Sequence, residues 1–292
     1  MTDADVKAIV EAAFEKGVRH VDTAEGYGNG RSEELVGKAV AGKADLFVAS
    51  KIGWKETARQ AVEAIDASRG RLRRDVIDLV YLHWPRKGRD LGPVMEGLER
   101  ARALGKIRHV GVSNFEPAQL DAASAFARID AVQICYNLLW RYPEAALIPY
   151  CIEHGISVIT YSTLAQGLLT GKFPQRPEFR PGDTRPATVY YDAAVYPHVY
   201  EAVTGMLQAA SGSGLKLAQM ALLWALRQPG ITGTLFGARA VPQAEETAAV
   251  EGLLRSPGLP ASLEENLRTL TEISSTAMKF IPDIGNIFKY YP

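Results

Sequence analysis

The sequence predicts a single α/β domain, residues 1–292, built as a TIM-type (β/α)8 barrel. Short runs rich in β-branched residues alternate with amphipathic stretches along the chain, which is typical of βαβ units around a parallel sheet. Polar or reactive residues follow nearly every run, and in a barrel the carboxyl ends of all strands meet at one face. The runs that predict strands are Val18–Ala24, Leu46–Ser50, Val76–Leu82, Ile107–Val112, Ala131–Ile134, Ile156–Tyr161 and Gly230–Phe236.

Only seven strand-like runs are evident, although a closed barrel of this type needs eight. The chain instead begins with a predicted helix over Thr2–Glu15, in which apolar residues from Val6 to Ala13 recur at helical spacing. We therefore expect the sequence to lack the first barrel strand. Val18–Ala24 and Gly230–Phe236 should then flank an open seam.

Two glycine-rich segments of the chain do not match the phosphate-binding motifs of other nucleotide-binding folds. The turn at 26–31 carries Arg31 where a GxGxxG motif needs its third glycine. Residues 167–173 carry Phe173 where a P-loop needs Ser or Thr, and three rather than four residues separate the glycines. These differences favour the barrel over a doubly wound sheet.

Composition excludes several function classes. The 292 residues include 33 basic and 33 acidic side chains, with no basic stripe for nucleic acid. We find no apolar run of the ~20 residues that a membrane span needs and no signal peptide. Cys135 and Cys151 form no disulfide framework and no metal motif. We therefore predict a cytoplasmic protein, monomeric or homo-oligomeric, whose partner is a small molecule.

Four reactive side chains stand at or just beyond the ends of the first three predicted strands: Asp22, Tyr27, Lys51 and His83. Taken singly, each has an ordinary structural explanation, such as a turn former, a half-buried aromatic ring, a surface charge or a core histidine. Their joint placement at successive strand ends predicts a proton-donating site instead. His20, His109, His154 and His198 lack that placement, so we expect structural roles for them.

Several motifs follow one another in the order found in the aldo-keto reductase superfamily, which the sequence therefore resembles. The resemblance is strongest to the bacterial-type branch related to potassium-channel β subunits and sugar-phosphate reductases. The resemblance covers most of the chain. It is carried by Gly17–Gly28, Tyr81–Pro85, Gly105–Phe115, Tyr161–Lys172 and Gly237–Arg239, with Gln243 beyond them.

The resemblance implies reduction of a carbonyl by hydride transfer from a nicotinamide. In this interpretation Tyr27 is the general acid, and Lys51 lowers the pKa of a phenol that is ordinarily about 10. Asp22 holds Lys51, and a neutral His83 orients the carbonyl oxygen.

The resemblance also implies NADPH as the cofactor and assigns three groups of binding residues. Ser113, Asn114 and Gln133 would hold the nicotinamide carboxamide, and Tyr161 would stack on the ring. The pyrophosphate would lie along Ser162, Leu164, Gln166, Gly167 and Leu169. Gly237, Ala238, Arg239, Gln243 and Glu246 would border the adenosine, with Arg239 on its 2′-phosphate. The chain departs from the family at Thr163, usually a proline, and Thr247, usually an asparagine.

We therefore predict NADPH-dependent reduction of an aldehyde, ketone or keto-sugar to the alcohol. The alternatives are a slow or inactive nicotinamide-binding regulatory protein of the same fold and a Schiff-base aldolase that uses Lys51. Substrate choice is expected to depend on a proline-rich lid loop at 173–197, a C-terminal arm at 274–292 and an aromatic-lined pocket. The tryptophans that predict this pocket are Trp54, Trp84 and Trp140.

Overall fold

The computed structural model describes residues 2–173, 175–254 and 259–281, and all seven predicted strands are present. The first, β1, is shorter than the run that predicted it because only three residues pair with the next strand. The part of the chain that is described contains no eighth strand. The strands are β1 (His20–Asp22), β2 (Phe47–Ile52), β3 (Ile77–Leu82), β4 (Ile107–Ser113), β5 (Ala131–Cys135), β6 (Ser157–Tyr161) and β7 (Ile231–Thr234).

The strands form one sheet in sequential order, from β1 at one end to β7 at the other. The pairs from β1 to β5 are parallel. Asp22 on β1 pairs with Ala49 on β2. Because side chains alternate along a strand, Lys51, two residues beyond Ala49, is on the same face of the sheet as Ala49. The order and direction of the strands confirm the predicted α/β class.

Helices separate most of the strands. α1 begins with a capping box, in which Thr2 and Asp5 each accept a hydrogen bond from the other's backbone N–H. None of the described helices is long and apolar enough to cross a membrane. The helices are α1 (Asp3–Glu15), α2 (Arg31–Ala39), α3 (Ala58–Leu72), α4 (Gly92–Ala103), α5 (Pro117–Ser124), α6 (Leu147–Glu153), α7 (Tyr196–Ala210), α8 (Leu217–Leu226), α9 (Val241–Ala248), α10 (Val250–Leu254) and α11 (Ala261–Ala277).

The chain divides into two compact units. The first consists of residues 1–134, 146–159 and 237–248, and the second of 135–145, 160–236 and 249–292. Most of the predicted lid at 173–197 is described and belongs to the second unit. Of the predicted C-terminal arm, 282–292 lies outside the described residues.

In the first unit, Leu79 and Tyr81 on β3 form a buried cluster with Ala49 on β2 and Ala131 on β5, and Phe47 packs against it. Gly111 lies opposite Tyr81, and a Cβ there would come within 2.4 Å of the Tyr81 ring. Glycine is therefore required at this position of β4, because the ring takes the space that a side chain would need.

In the second unit, α8 and α11 pack around Trp224. Its indole stacks on Tyr136 at 5.3 Å between ring centroids and donates through Nε1 to Thr271 Oγ1 at 2.9 Å. Both the apolar body and the polar atom of the buried indole are therefore satisfied.

A buried carboxylate fixes the end of β2 against two helices of the first unit. Glu33 on α2 is fully buried and accepts from Ser50 Oγ at 2.5 Å and from Arg71 Nε at 2.7 Å. Ser50 points toward the helices, so its neighbour Lys51 points to the opposite face of the strand. Glu33 therefore helps to set the register that directs Lys51 inward.

We expect Glu33→Ala to lower the free energy of unfolding by about 2–3 kcal/mol, since it leaves the buried Ser50 hydroxyl and the partly exposed Arg71 guanidinium without their acceptor. Glu34→Ala is the matched control, because Glu34 is on the same helix but its ion pair with Arg31 is exposed. That control should cost about 1 kcal/mol or less. Chemical denaturation would measure both, and equal losses would contradict this role of Glu33.

Candidate active site

An ion pair between Lys51 and Asp22 lies at the carboxyl ends of β1 and β2. The Lys51 side chain is 1% exposed and donates to Asp22 Oδ1 and, at 2.9 Å, to the Thr23 carbonyl. The other carboxylate oxygen of Asp22 accepts from Gln133 Nε2 at 2.9 Å. The buried positive charge of Lys51 is thus compensated, as such burial requires.

Tyr27 lies beside this pair, in the turn after β1. Tyr27 is 45% exposed, so part of its ring is accessible to solvent. The Lys51 ammonium nitrogen is 5.3 Å from the centroid of the Tyr27 ring, and the His83 ring packs edge-on to it at 5.6 Å. The structure therefore brings all four predicted catalytic residues together within the first unit.

His83, directly after β3, is held as a neutral imidazole. Burial lowers its pKa to about 4, and the positive charge of Lys51 contributes to the same shift. A neutral ring keeps one N–H donor and one acceptor nitrogen near pH 7. Trp84 stacks on it at 6.2 Å between ring centroids.

Three predicted cofactor residues lie next to this cluster in the first unit: Ser113, Asn114 and Gln133. Ser113 and Gln133 are adjacent across β4 and β5, and the Asn114 N–H donates to the Gln133 carbonyl at 3.0 Å. Asn114 has a left-handed backbone, with φ 65°, and its side-chain Nδ2 donates to the His83 carbonyl at 3.2 Å. Amide and hydroxyl groups of this kind suit a carboxamide, which needs both donors and acceptors.

The predicted pyrophosphate residues form a tightly turned loop after β6, in the second unit. Ser162, Ala165 and Gln166 have φ values of 53°, 48° and 56°, although none is glycine. Left-handed conformations cost non-glycine residues roughly 1–2 kcal/mol each, so the surrounding structure must hold them. Gly167 continues the turn at φ 94°, and a loop of this kind suits close approach by an anion. Ser162, Leu164, Gln166 and Gly167 are partly buried, as is Tyr161, which was predicted to stack on the nicotinamide, and Leu169 is buried.

The predicted adenosine residues surround the start of α9. Arg239 is exposed, and its backbone N–H donates to Gln243 Oε1 at 2.9 Å. Gly237 is also exposed, while Ala238 and Glu246 are half-buried. The exposed, planar guanidinium can donate hydrogen bonds to a phosphate, as the prediction for Arg239 requires.

The two residues that depart from the family pattern, Thr163 and Thr247, are both buried. Thr163 is buried, and its hydroxyl hydrogen-bonds to Thr234 Oγ1 at 2.6 Å within the second unit. Thr247 is 8% exposed on α9. The hydroxyl of Thr163 therefore ties the loop after β6 to β7, a contact that proline could not make.

Glu25 was not identified from the sequence, although it belongs to the motif around Tyr27. Its Oε1 accepts from the Gly53 N–H and from Lys55 Nζ, both at 2.6 Å. It thereby joins the turn that carries Tyr27 to the turn after β2. Its place between Asp22 and Tyr27 was the only available signal, since Lys55 is 30 residues away in sequence.

The three tryptophans that predict an aromatic pocket differ in their surroundings. Trp54 and Trp84 are half-buried in the turns after β2 and β3. Trp140 is 4% exposed and packs edge-on against Tyr142 and Tyr190, so it belongs to the core of the second unit. In the described part of the chain, no group of three His, Cys, Asp or Glu side chains could hold a metal ion.

Comparisons with known proteins agree with this geometry. The sequence profile of the Aldo/keto reductase family matches residues 1–255. Aldo-keto reductase YhdN of Bacillus subtilis is 36% identical over 259 residues, which cover 83% of this chain and 77% of that protein. A probable voltage-gated potassium channel subunit beta of Arabidopsis thaliana is 30% identical over 265 residues, covering 83% and 80% respectively.

A solved structure shows the same fold. The glycerol dehydrogenase AKR11B4 from Gluconobacter oxydans is 28% identical and matches with a TM-score of 0.84, over 97% of this chain and 89% of that chain. Sequence and fold therefore agree on one family. The chain belongs to the aldo/keto reductase family of oxidoreductases, and its seven strands are those of a (β/α)8-type fold.

Proposed function

We propose that this protein reduces an aldehyde, ketone or keto-sugar to the alcohol with NADPH as the reductant. The observation that carries the proposal is a buried, compensated Lys51 beside an exposed Tyr27 and a neutral His83. A carbonyl oxygen develops negative charge during reduction, and these groups would supply a proton and hydrogen bonds to it.

Each of the four residues has a separate role in the proposed reaction. His83 donates an N–H to the carbonyl oxygen and orients the substrate. Tyr27 gives its phenolic proton to that oxygen as the alcohol forms, and the nearby Lys51 charge stabilises the resulting phenolate. Asp22 and Gln133 hold Lys51 in place. When bound, the nicotinamide cofactor supplies the hydride that reduces the carbonyl carbon.

The residues present fit such a cofactor. The left-handed residues between Ser162 and Gly167 form a backbone turn of a kind that suits a pyrophosphate, and Ser113 with Asn114 offers partners for a carboxamide. An exposed Arg239 at the start of α9 favours NADPH over NADH, because its guanidinium suits the 2′-phosphate.

A Schiff-base aldolase is disfavoured. Such an enzyme must present the lone pair of a lysine amine to a carbonyl carbon. Lys51 is buried and donates hydrogen bonds to Asp22 and Thr23 instead. Borohydride trapping of substrate on Lys51 would overturn this conclusion.

A regulatory role is the second candidate, because a relative 30% identical to this chain is named as a channel subunit. A regulatory protein of this kind would bind the cofactor and turn over slowly. Cofactor binding followed by fluorescence, compared with steady-state oxidation of NADPH against aldehydes, ketones and keto-sugars, separates the two candidates. Tight binding without turnover on any substrate would favour the regulatory role.

We expect Tyr27→Phe to lower kcat about 10²–10⁴-fold while the dissociation constant for NADPH stays unchanged, because only the proton donor is removed. Tyr150→Phe is the matched control: its hydroxyl bonds Asp121 Oδ1 between helices α5 and α6. Wild-type turnover by purified Tyr27→Phe protein would show that another group donates the proton.

We expect Arg239→Ala to raise the dissociation constant for NADPH about tenfold to a hundredfold, the range for a lost charge-assisted hydrogen bond. NADH lacks the 2′-phosphate and serves as the internal control, so its binding should not change. Fluorescence titration with both cofactors would measure this. An equal loss for both would show that Arg239 does not read the 2′-phosphate.

The low pKa of His83 predicts how stability depends on pH. The unfolded chain takes up a proton at a pKa near 6.5, whereas folded His83 does so only near pH 4. Protonation therefore favours the unfolded chain, and the free energy of unfolding falls as the pH drops from about 6.5 to 4. At pH 5 this should cost about 1–2 kcal/mol relative to pH 7.

His83→Gln removes this contribution. Denaturation curves of both proteins at pH 7 and pH 5 should therefore show a smaller loss for the variant. Identical losses in the two proteins would mean that the imidazole is not held neutral.

A further inference from the structure

Asn137, just after β5, holds the strained loop that follows β6. Its side chain is fully buried in the second unit, and Nδ2 donates to the Ser162 carbonyl at 2.9 Å. Its Oδ1 accepts from the Leu139 N–H at 2.8 Å, which fixes the orientation of the amide. Ser162 is the first of the three left-handed residues that are not glycine, so this contact acts where the turn begins.

Tyr190 completes this buried contact from within the 173–197 segment. Its ring is fully buried, and its hydroxyl accepts from Asn137 Nδ2 at 3.0 Å. The Asn137 amide nitrogen therefore donates to both the Tyr190 hydroxyl and the Ser162 carbonyl. Removing it would leave the amide one partner short in a site that water does not reach.

Tyr191 holds the other end of the strained turn. Its ring is 1% exposed, and its hydroxyl donates to the Gln166 carbonyl at 3.3 Å. Phe179 packs edge-on against the ring at 4.8 Å, and Arg176 Nε donates to the Tyr191 carbonyl at 3.0 Å. Adjacent tyrosines thus support the first and last non-glycine residues of the strained turn.

We propose that Tyr190, through Asn137, and Tyr191 are positioning residues that keep the loop after β6 in the conformation that binds the pyrophosphate of a dinucleotide. This inference rests on the proposed function. Left-handed residues relax when their supports are removed, so part of the binding free energy would then be spent on re-forming the turn. The hydroxyl groups would therefore set cofactor affinity without touching the cofactor.

Single Tyr→Phe changes test this inference because they remove one hydroxyl and keep each buried ring. We expect Tyr190→Phe and Tyr191→Phe each to raise the dissociation constant for NADPH about 5-fold to 30-fold. Turnover at saturating NADPH should stay within about twofold of wild type, since neither hydroxyl takes part in the chemistry. If the two hydroxyl groups were purely structural, their removal would lower the free energy of unfolding but would not raise the dissociation constant for NADPH at unchanged turnover.

Tyr196→Phe is the matched control. Tyr196 is 5% exposed and stacks on Tyr191, but its buried hydroxyl has no hydrogen-bond partner among the described residues. Its removal should leave NADPH affinity unchanged. A loss of affinity in this control equal to that in Tyr190→Phe would show that any change in the tyrosine cluster weakens binding, and would overturn the assignment.

Hydrogen exchange of the ligand-free protein provides a second readout that needs no cofactor. Backbone amides in 162–171 should exchange faster in Tyr190→Phe and Tyr191→Phe than in wild type, and at the wild-type rate in Tyr196→Phe. If wild-type protein binds neither NADPH nor NADH, the proposed function fails and the inference fails with it. If wild type binds and both variants bind equally well, the positioning role alone is overturned.

Discussion

The ion pair between Lys51 and Asp22 is the constraint on which the candidate site depends. An ammonium group with 1% exposure costs several kcal/mol unless it is paired, so the site exists only while β1 and β2 keep their register. A slip of one residue would turn Lys51 toward the helices and Ser50 inward. Glu33 opposes such a slip because its carboxylate needs Ser50 on the helix side.

The same buried charge also sets the chemistry of its neighbours. It contributes to the low pKa of His83, which keeps that ring neutral, and it lies 5.3 Å from the centroid of the ring that would carry phenolate charge. One cation thus opposes positive charge on the histidine and favours negative charge on the tyrosine. Burial is the larger cause of the low pKa of His83, so the two proposed roles follow from the different exposure of the two rings as well as from their shared neighbour.

The sequence predicted the strands and the four reactive residues because their signals are local. Each strand is a short β-branched run, and each reactive residue follows such a run within a few positions. The support for the loop after β6 had no local signal, since Asn137 and Tyr190 are 53 residues apart. Prolines and aromatic residues predicted a lid at 173–197, which stays a prediction, and the burial of Tyr190 and Tyr191 within this segment had no local signal.

The two parts of the proposed site therefore rest on different physical supports. Asp22 and Lys51 extend from regular strands, whose backbone hydrogen bonds form whatever the reactive side chains are. The loop from Ser162 to Gly167 is held in an unfavourable backbone conformation by side-chain contacts that could each be lost in one substitution. Substitutions that remove these contacts should accordingly lower cofactor affinity while the proton-transfer residues stay in place.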